Sequence, residues 1–223
     1  MKTVLVTGAN RGIGLSLVKH FRSRGDAVIA VCRHGSDALA ATGARVEPGV
    51  DVTNDAALAA LAARLGDIQL HQLWLNAGIL ERDTLDKLDA AAFDAVRRQF
   101  EVNAMGPLRV AHALRGHVGA GSKIAIITSR MGSIEDNSAG AYYGYRASKA
   151  AVNAIGKSLA IDLAPKGVAV YLLHPGYVAT DMVDGAGDIS PDTAAERLSA
   201  RVDSLGQDQT GTFWHSNGSQ LTW

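Results

Sequence analysis

A glycine-rich turn between an apolar strand and an amphipathic helix is the feature that most constrains the fold of this chain. Residues 2–6 are a short β-branched run of strand type, and T-G-A-N-R-G-I-G follows directly at residues 7–14. Residues 15–21 then repeat apolar side chains at helical spacing. A strand, a glycine turn and a helix in this order predict the first unit of an open α/β sheet.

This turn is suited to binding a pyrophosphate at the N-terminus of the helix. Without side chains, glycines let backbone N–H groups and the positive helix end come close to an anion. The same motif also occurs in ordinary strand-to-helix loops, but the flanking strand and helix favour a dinucleotide site. The residues predicted to bind the dinucleotide here are Gly8, Asn10, Arg11, Gly12, Ile13 and Gly14.

The end of the second predicted strand bears on which dinucleotide is bound. An acidic residue about 20 positions after the glycines normally binds the ribose 2′-hydroxyl of NAD. Cys32 and Arg33 stand at that place. A guanidinium suits a 2′-phosphate, and Arg11 would add a second positive charge, although either arginine could instead be a solvated surface group. The sequence therefore predicts NADP(H) as the preferred cofactor, with NAD(H) as the alternative.

A tyrosine and a lysine four residues apart occur in G-Y-R-A-S-K, at residues 144–149. At that spacing Tyr145 and Lys149 share one helix face, with Cβ atoms about 5–6 Å apart. A phenol has a pKa of about 10, and a neighbouring cation lowers it by favouring the phenolate. Tyr142 and Tyr143 compete for the same role, but neither has a lysine four residues later. Tyr145 is therefore the predicted proton donor and acceptor.

Strand and helix patterns alternate along the chain. They predict a Rossmann-type α/β fold, with a doubly wound, mostly parallel sheet and helices on both faces. With 223 residues and 47% hydrophobic content, residues 1–223 are expected to form a single domain that carries both cofactor and substrate sites. The predicted strands are 2–6, 27–31, 45–50, 70–75, 122–127 and 168–173. The predicted helices are 15–21, 37–41, 55–65, 93–114 and 145–163.

Composition argues against several classes of function. The formal net charge is zero and no basic run occurs, so neither nucleic acid nor an anionic membrane is expected as a partner. Cys32 is the only cysteine, which excludes an internal disulfide and favours the reducing cytoplasm. Apolar stretches such as Ile124 to Ile127 are too short to span a bilayer. The seven histidines lack metal-ligand spacing, and no metal is predicted.

Taken together, the motifs resemble the short-chain dehydrogenase/reductase family, in its single-domain, NADP-preferring form. The resemblance runs essentially end to end. It is most similar to the carbonyl reductase-like branch that includes the C-factor and sniffer types. The motifs are the glycine turn, L-N-A-G at 75–78, Asn103, T-S-R-M-G-S at 128–133, Y-R-A-S-K, H-P-G-Y-V-A-T at 174–180 and G-T-F from Gly211.

The resemblance implies further cofactor contacts at the carboxyl ends of the strands. Asp51 and Val52 would contact the adenine, and Thr180 would hydrogen-bond the nicotinamide carboxamide. Leu75 stands where the family more often has asparagine, which would weaken local hydrogen bonding. His174 would line the nicotinamide pocket or serve a structural role. The implied cofactor-binding residues are Asp51, Val52, Asn76, Ala77, Gly78, Pro175, Gly176, Val178 and Thr180, together with Tyr145 and Lys149.

The resemblance also implies a catalytic set. Tyr145 would donate a proton to a carbonyl oxygen, and Ser129 would polarise that oxygen, with Ser133 as the competing serine. Lys149 would hold the nicotinamide ribose and lower the pKa of Tyr145, helped by the charge of the oxidised nicotinamide. The implied catalytic residues are Asn103, Ser129, Tyr145 and Lys149.

Asn103 has a physical reason of its own. Pro107 follows four residues later. In a helix, a proline has no N–H to donate, and its ring clashes with the carbonyl four positions earlier. If the helix continues through this point, it is expected to kink, and the Asn103 carbonyl is expected to lose its normal helical hydrogen-bond donor. The resemblance implies that this residue holds a water that connects Lys149 to solvent.

The expected activity is NADPH-dependent reduction of a ketone or aldehyde, or oxidation of the corresponding alcohol, with a small-molecule carbonyl or alcohol as substrate. A dinucleotide-binding signalling or redox-sensing protein of the C-factor type is the alternative. A homo-oligomer, either dimer or tetramer, is expected, with Trp223 covering a neighbouring subunit. Residues 181–189 are expected to form a small, mobile lid over an open pocket.

Overall fold

A seven-stranded parallel sheet lies at the centre of the computed structural model, which describes residues 1–223. Its order is β3-β2-β1-β4-β5-β6-β7. The strands are β1 (Thr3–Thr7), β2 (Ala27–Val31), β3 (Arg45–Glu47), β4 (Gln72–Leu75), β5 (Lys123–Ile127), β6 (Ala169–His174) and β7 (Thr212–His215). The helices are α1 (Gly12–Ser23), α2 (Asp37–Ala40), α3 (Asp55–Leu65), α4 (Ala90–Phe100), α5 (Gly106–Ala113), α6 (Tyr143–Leu163) and α7 (Pro191–Ser204).

Helices cover both faces of the sheet. Alternate strand residues point to opposite sides, so Leu73 belongs to one buried cluster and Trp74 to the other. The first cluster lies under α3, α5 and α6, and the second lies under α1 and α7. The strands read as continuous apolar runs because both of their faces are buried. The predicted doubly wound α/β fold is confirmed.

The predicted helix over residues 93–114 is wrong as a single element. The structure has α4, then a π-helical turn at Glu101–Met105, then α5. The Gly106 N–H bonds the carbonyl of Glu101, and Pro107 has no N–H to continue the regular ladder. The expected interruption before Pro107 is therefore present.

Several boundaries also differ, and two elements were not predicted. Strand β3 is shorter than expected because the chain turns at Gly49, whose φ is 74°. The two unpredicted elements are helix α7 and strand β7. Strand β7 pairs with β6 and forms the edge of the sheet on that side. Trp223 stacks on Phe213 of β7, with ring centroids 5.6 Å apart, so its ring packs within its own chain.

The strand order creates a crevice at the point where the chain switches from one side of β1 to the other. The chain runs outward from β1 through β2 to β3, and then crosses to β4 on the other side of β1. Loops after β1 and β4 therefore diverge at their carboxyl ends and leave space between them. None of the helices combines the length and apolar character needed to cross a membrane.

Candidate active site

The glycine turn is packed too closely for side chains. A Cβ atom on Gly14 would lie 2.2 Å from the carbonyl oxygen of Gly8, and one on Gly8 would lie 2.8 Å from the Cα of Ala77. Gly8 and Gly12 also have positive φ angles, of 65° and 52°. The Asn76 amide donates to the carbonyls of Thr7 and Gly8, at 3.0 and 3.2 Å. This asparagine supports the turn from β4.

A single cavity of about 580 Å³ extends from this turn to Tyr145. A Cβ on Gly12 would lie 3.4 Å from the side chain of Thr180, so a larger residue would narrow the passage between them. Every residue predicted to bind the cofactor lines the cavity, and so does Ser129. Of the predicted site residues, only Asn103 lies outside its lining. The space and its backbone cradle fit a dinucleotide such as NADP.

One end of the cavity combines a cation with a carboxylate. Arg33 and Asp51 both line it, after β2 and β3. Burial opposes ionisation of Asp51, but hydrogen bonds from Thr53 and the charge of Arg33 outweigh it and hold the pKa of Asp51 below its usual value. Arg33 forms no ion pair with this or any other carboxylate. Its guanidinium therefore has donors available for an anionic ligand.

Tyr145 and Lys149 meet at the other end of the cavity. They are only 8% and 4% exposed, and the Lys149 Nζ lies 5.7 Å from the centre of the Tyr145 ring. Lys149 also donates to the carbonyl of Ile127 at 3.0 Å. Burial raises the pKa of Tyr145 to about 12, which the nearby Ser129 hydroxyl partly opposes, and lowers the pKa of Lys149 to about 8. In the protein alone, burial therefore outweighs any effect of Lys149 on the pKa of Tyr145. The expected lowering, which was assigned to Lys149 together with the oxidised nicotinamide, stays a prediction.

The structure distinguishes the predicted serine and tyrosine from most of the residues that compete with them. Ser129 lines the cavity beside Tyr145, whereas Ser133 is buried outside its lining and accepts a hydrogen bond from the Asp136 N–H. Tyr143 is 42% exposed and also lies outside the lining. Tyr142 does reach the cavity, just before α6 begins.

Asn103 lies in the π-helical turn between α4 and α5 and connects the segment after β4 to α6. Its side-chain oxygen accepts from the Ile79 N–H at 2.8 Å, and its amide nitrogen donates to the Ile79 carbonyl at 2.8 Å. The same nitrogen donates to the Ser148 hydroxyl on α6 at 3.1 Å. Asn103 is thereby fixed next to Lys149 without lining the cavity.

Comparison with known proteins establishes the family to which the chain belongs. The model of the family described as short chain dehydrogenase matches residues 2–189. The chain belongs to the short-chain dehydrogenase family. It is 44% identical, over the full length of both chains, to 1-hydroxy-2-glutathionyl-2-methyl-3-butene dehydrogenase of Rhodococcus sp. strain AD45.

Two further comparisons relate this short-chain dehydrogenase to a carbonyl reductase and to a C-signal protein. The NADPH-bound carbonyl reductase from chicken fatty liver superposes with a TM-score of 0.89 at 28% identity, covering 100% of this chain and 99% of that one. The C-signal protein of Myxococcus xanthus is 41% identical over 131 residues, which are 56% of this chain and 77% of that protein. The predicted family, its Rossmann-type fold and the predicted similarity to carbonyl reductases are confirmed.

The sequence did not indicate the residue that caps α6, the helix that carries Tyr145 and Lys149. Asp83 is buried after β4, and its carboxylate accepts the backbone N–H groups of Tyr143 and, at 3.0 Å, Gly144. Its own carbonyl accepts from the Tyr142 N–H at 2.9 Å. Because 60 residues separate the partners, no local pattern marks this contact.

His174, at the end of β6, lines the cavity. Its ring contacts His215 edge to face at 4.8 Å, and its buried Nδ1 has no hydrogen-bond partner. Burial, with smaller effects from His215 and Arg130, lowers the pKa of His174 to about 3. The ring is therefore neutral at physiological pH in this short-chain dehydrogenase. Further lining residues not predicted from the sequence include Leu80, Arg82, Met131, Arg146, Tyr177 and Met182.

Proposed function

We propose that this short-chain dehydrogenase interconverts a ketone or aldehyde and the corresponding alcohol, with NADP(H) as cofactor. The observation that carries this proposal is the burial of Tyr145 and Lys149 in the same cavity as the glycine turn. The full-length Rhodococcus relative is named as the dehydrogenase of a hydroxy compound, which supports an alcohol as one of the two reactants.

In the proposed reaction, the chain supplies the proton and the charge stabilisation. NADPH, when bound, supplies the hydride for the carbonyl carbon. The Tyr145 hydroxyl, which like any phenol with a pKa of about 10 or higher is protonated at neutral pH, donates its proton to the carbonyl oxygen. Ser129 donates a hydrogen bond to the same oxygen, and the Lys149 ammonium stabilises the phenolate that remains. Oxidation uses the same groups in reverse, with the phenolate as base.

The preference for NADP(H) rests on Arg33 and Arg11. Both line the cavity, where NAD-specific relatives would need a carboxylate at the end of β2. Arg11 has an exposed ion-pair partner in Asp181, whereas Arg33 has none, so Arg33 is the stronger candidate for the 2′-phosphate. The NADPH-bound chicken carbonyl reductase supports this preference.

Replacement of the proposed acid tests the mechanism. Tyr145→Phe should lower kcat for carbonyl reduction by about 100-fold or more, the usual contribution of general acid catalysis, while NADPH binding measured by fluorescence changes little. Tyr143→Phe is the matched control, because that ring lies outside the cavity. A Tyr145→Phe enzyme with the turnover of the control would exclude the assigned role.

Signalling or redox sensing is the second candidate, favoured by the similarity to C-signal. A sensor has no use for the buried acid and its neighbouring ammonium, so we favour the enzyme. Incubation with NADPH and a panel of ketones, aldehydes and diketones separates the two functions. Tight NADPH binding without consumption would support the sensor.

Two further proposals concern the cellular location and the oligomeric state of the protein. We place it in the cytoplasm, where the buried free thiol of Cys32 stays reduced. A homodimer or homotetramer built on α4 and α6 stays a prediction, which light scattering on the purified protein would test.

A further inference from the structure

Three arginines from separate segments line the cavity beyond Tyr145. They are Arg82 after β4, Arg130 after β5 and Arg146 in the first turn of α6. Arg82 pairs with Asp184 at 2.9 Å, and both oxygens of Asp136 bond Arg130. These two positive charges are therefore offset within the protein.

Arg146 differs because it has no carboxylate partner. Its Nε donates to the carbonyls of Gly140 and Ala141, at 3.1 and 3.2 Å, and its two terminal nitrogens form no hydrogen bond. Its charge, after that of Arg130, helps to lower the pKa of Asp136, but that carboxylate is already bonded to Arg130. Arg146 therefore presents to the cavity a guanidinium that has no ion-pair partner, beside the paired Arg130 and Asp136.

The guanidinium is held in place by an unusual backbone. Ala141 and Tyr142 both adopt left-handed conformations, with φ of 50° and 52°, which are costly for residues other than glycine. Asp83 holds Tyr142 in this geometry through its carbonyl. With Nε fixed by two carbonyls, the terminal nitrogens are oriented in advance as a fork, and little side-chain entropy remains to be lost on binding.

We propose that Arg146 binds a carboxylate on the substrate. This inference rests on the proposed function, since it assigns a substrate class to the same cavity: carbonyl or alcohol compounds that carry a carboxylate away from the reacting carbon. The planar fork of a guanidinium matches the two oxygens of a carboxylate. Arg146 follows Tyr145 directly in the chain, so the anchored carboxylate fixes the rest of the substrate relative to the acid.

A matched pair of substrates tests the proposal. The probes are 4-carboxybenzaldehyde and its methyl ester, which differ only in the methyl group that removes the negative charge, and NADPH consumption is followed. The wild-type enzyme should prefer the acid about 10- to 100-fold in kcat/KM, the range expected for a hydrogen-bonded charge pair. In Arg146→Gln the acid-to-ester ratio should fall to near one, mainly through KM, and Arg146→Lys should be intermediate. Arg97→Gln, an exposed charge change on α4, should keep the wild-type ratio.

Binding provides a readout that does not depend on turnover. Calorimetry with the NADP⁺-loaded protein compares 4-(hydroxymethyl)benzoate with its methyl ester, in the wild type and in Arg146→Gln. Arg146-dependent binding of the acid without turnover would support this inference while counting against the proposed function. Equal binding of acid and ester, no binding of either, or an equal loss of both in Arg146→Gln would overturn it. NADPH affinity and thermal unfolding of each variant show whether the loop at residues 140–142 is intact.

Discussion

Removing the carboxylate of Asp83 should both destabilise the protein and misplace its proposed acid. Tyr142, at the position before α6, offers no side-chain cap, so Asp83 is the only side chain that accepts N–H groups of the first turn. In Asp83→Ala the buried N–H of Gly144 loses its partner. Tyr145 lies one residue further along the same turn.

The magnitude follows from the kind of contact. A hydrogen bond to a charged group contributes about 1.5–3 kcal/mol, a helix cap about 0.5–2 kcal/mol and a charge at the helix N-terminus about 0.3–1 kcal/mol. These contributions overlap because one carboxylate makes them all. We therefore expect Asp83→Ala to lower the free energy of unfolding by about 2–3 kcal/mol. Since small displacements of a catalytic group are costly, kcat should fall about 10- to 100-fold.

Urea unfolding followed by circular dichroism measures the stability, and steady-state kinetics with NADPH titration measures the function. NADPH affinity should change by less than about three-fold, because Asp83 lies outside the cavity lining. Asp86→Ala is the control: this exposed carboxylate on the same segment makes no hydrogen bond or ion pair, and its loss should cost under about 0.5 kcal/mol. If Asp83→Ala is as stable and as active as Asp86→Ala, the capping role is refuted.

Two further predictions concern the cofactor and the response to acid. Arg33→Ala should weaken NADPH binding about 10- to 100-fold and leave NADH binding nearly unchanged, as measured by fluorescence titration; an equal effect on both cofactors would contradict a 2′-phosphate contact. Because the folded-state pKa of His174 is lowered to about 3, the stabilisation from its neutral ring is complete above pH 6.5 and is lost as the pH falls towards 3, by about 1.4 kcal/mol per pH unit. Wild-type protein should therefore lose about 2 kcal/mol from this group between pH 6.5 and pH 5 in urea unfolding, and His174→Gln should lack that loss; the same acid slope in both proteins would exclude it.

Local patterns predicted the fold and much of the site because their causes are local. A buried parallel strand is a continuous apolar run, and the glycine turn needs a backbone that only glycine tolerates at such close approach. Tyr145 and Lys149 are four residues apart on one helix, so their proximity follows from helical geometry. Helix α7 also had readable signals, a Ser190 cap whose hydroxyl accepts from the Thr193 N–H and Pro191 at its first position.

Contacts between distant segments could not be predicted in this way. Nothing near Asp83 indicates that it caps a helix that begins 60 residues later. The Asn103 side chain was likewise not expected to bond both backbone groups of Ile79, although its place before Pro107 correctly indicated an irregular helix. The pKa of Tyr145 depends on how completely the folded protein removes water from its hydroxyl, which no spacing of residues specifies.

The strand order has a consequence for how the protein becomes active during synthesis. The cavity is built from the loops that follow β1 to β6, and β5 pairs with β6 along its full length. Until β6 leaves the ribosome, β5 is an open sheet edge that another chain can pair with. A nascent chain therefore passes through a stage prone to aggregation before the part of the cavity formed by the loop after β6 exists. Chaperone supply and translation speed should consequently affect the yield of active protein.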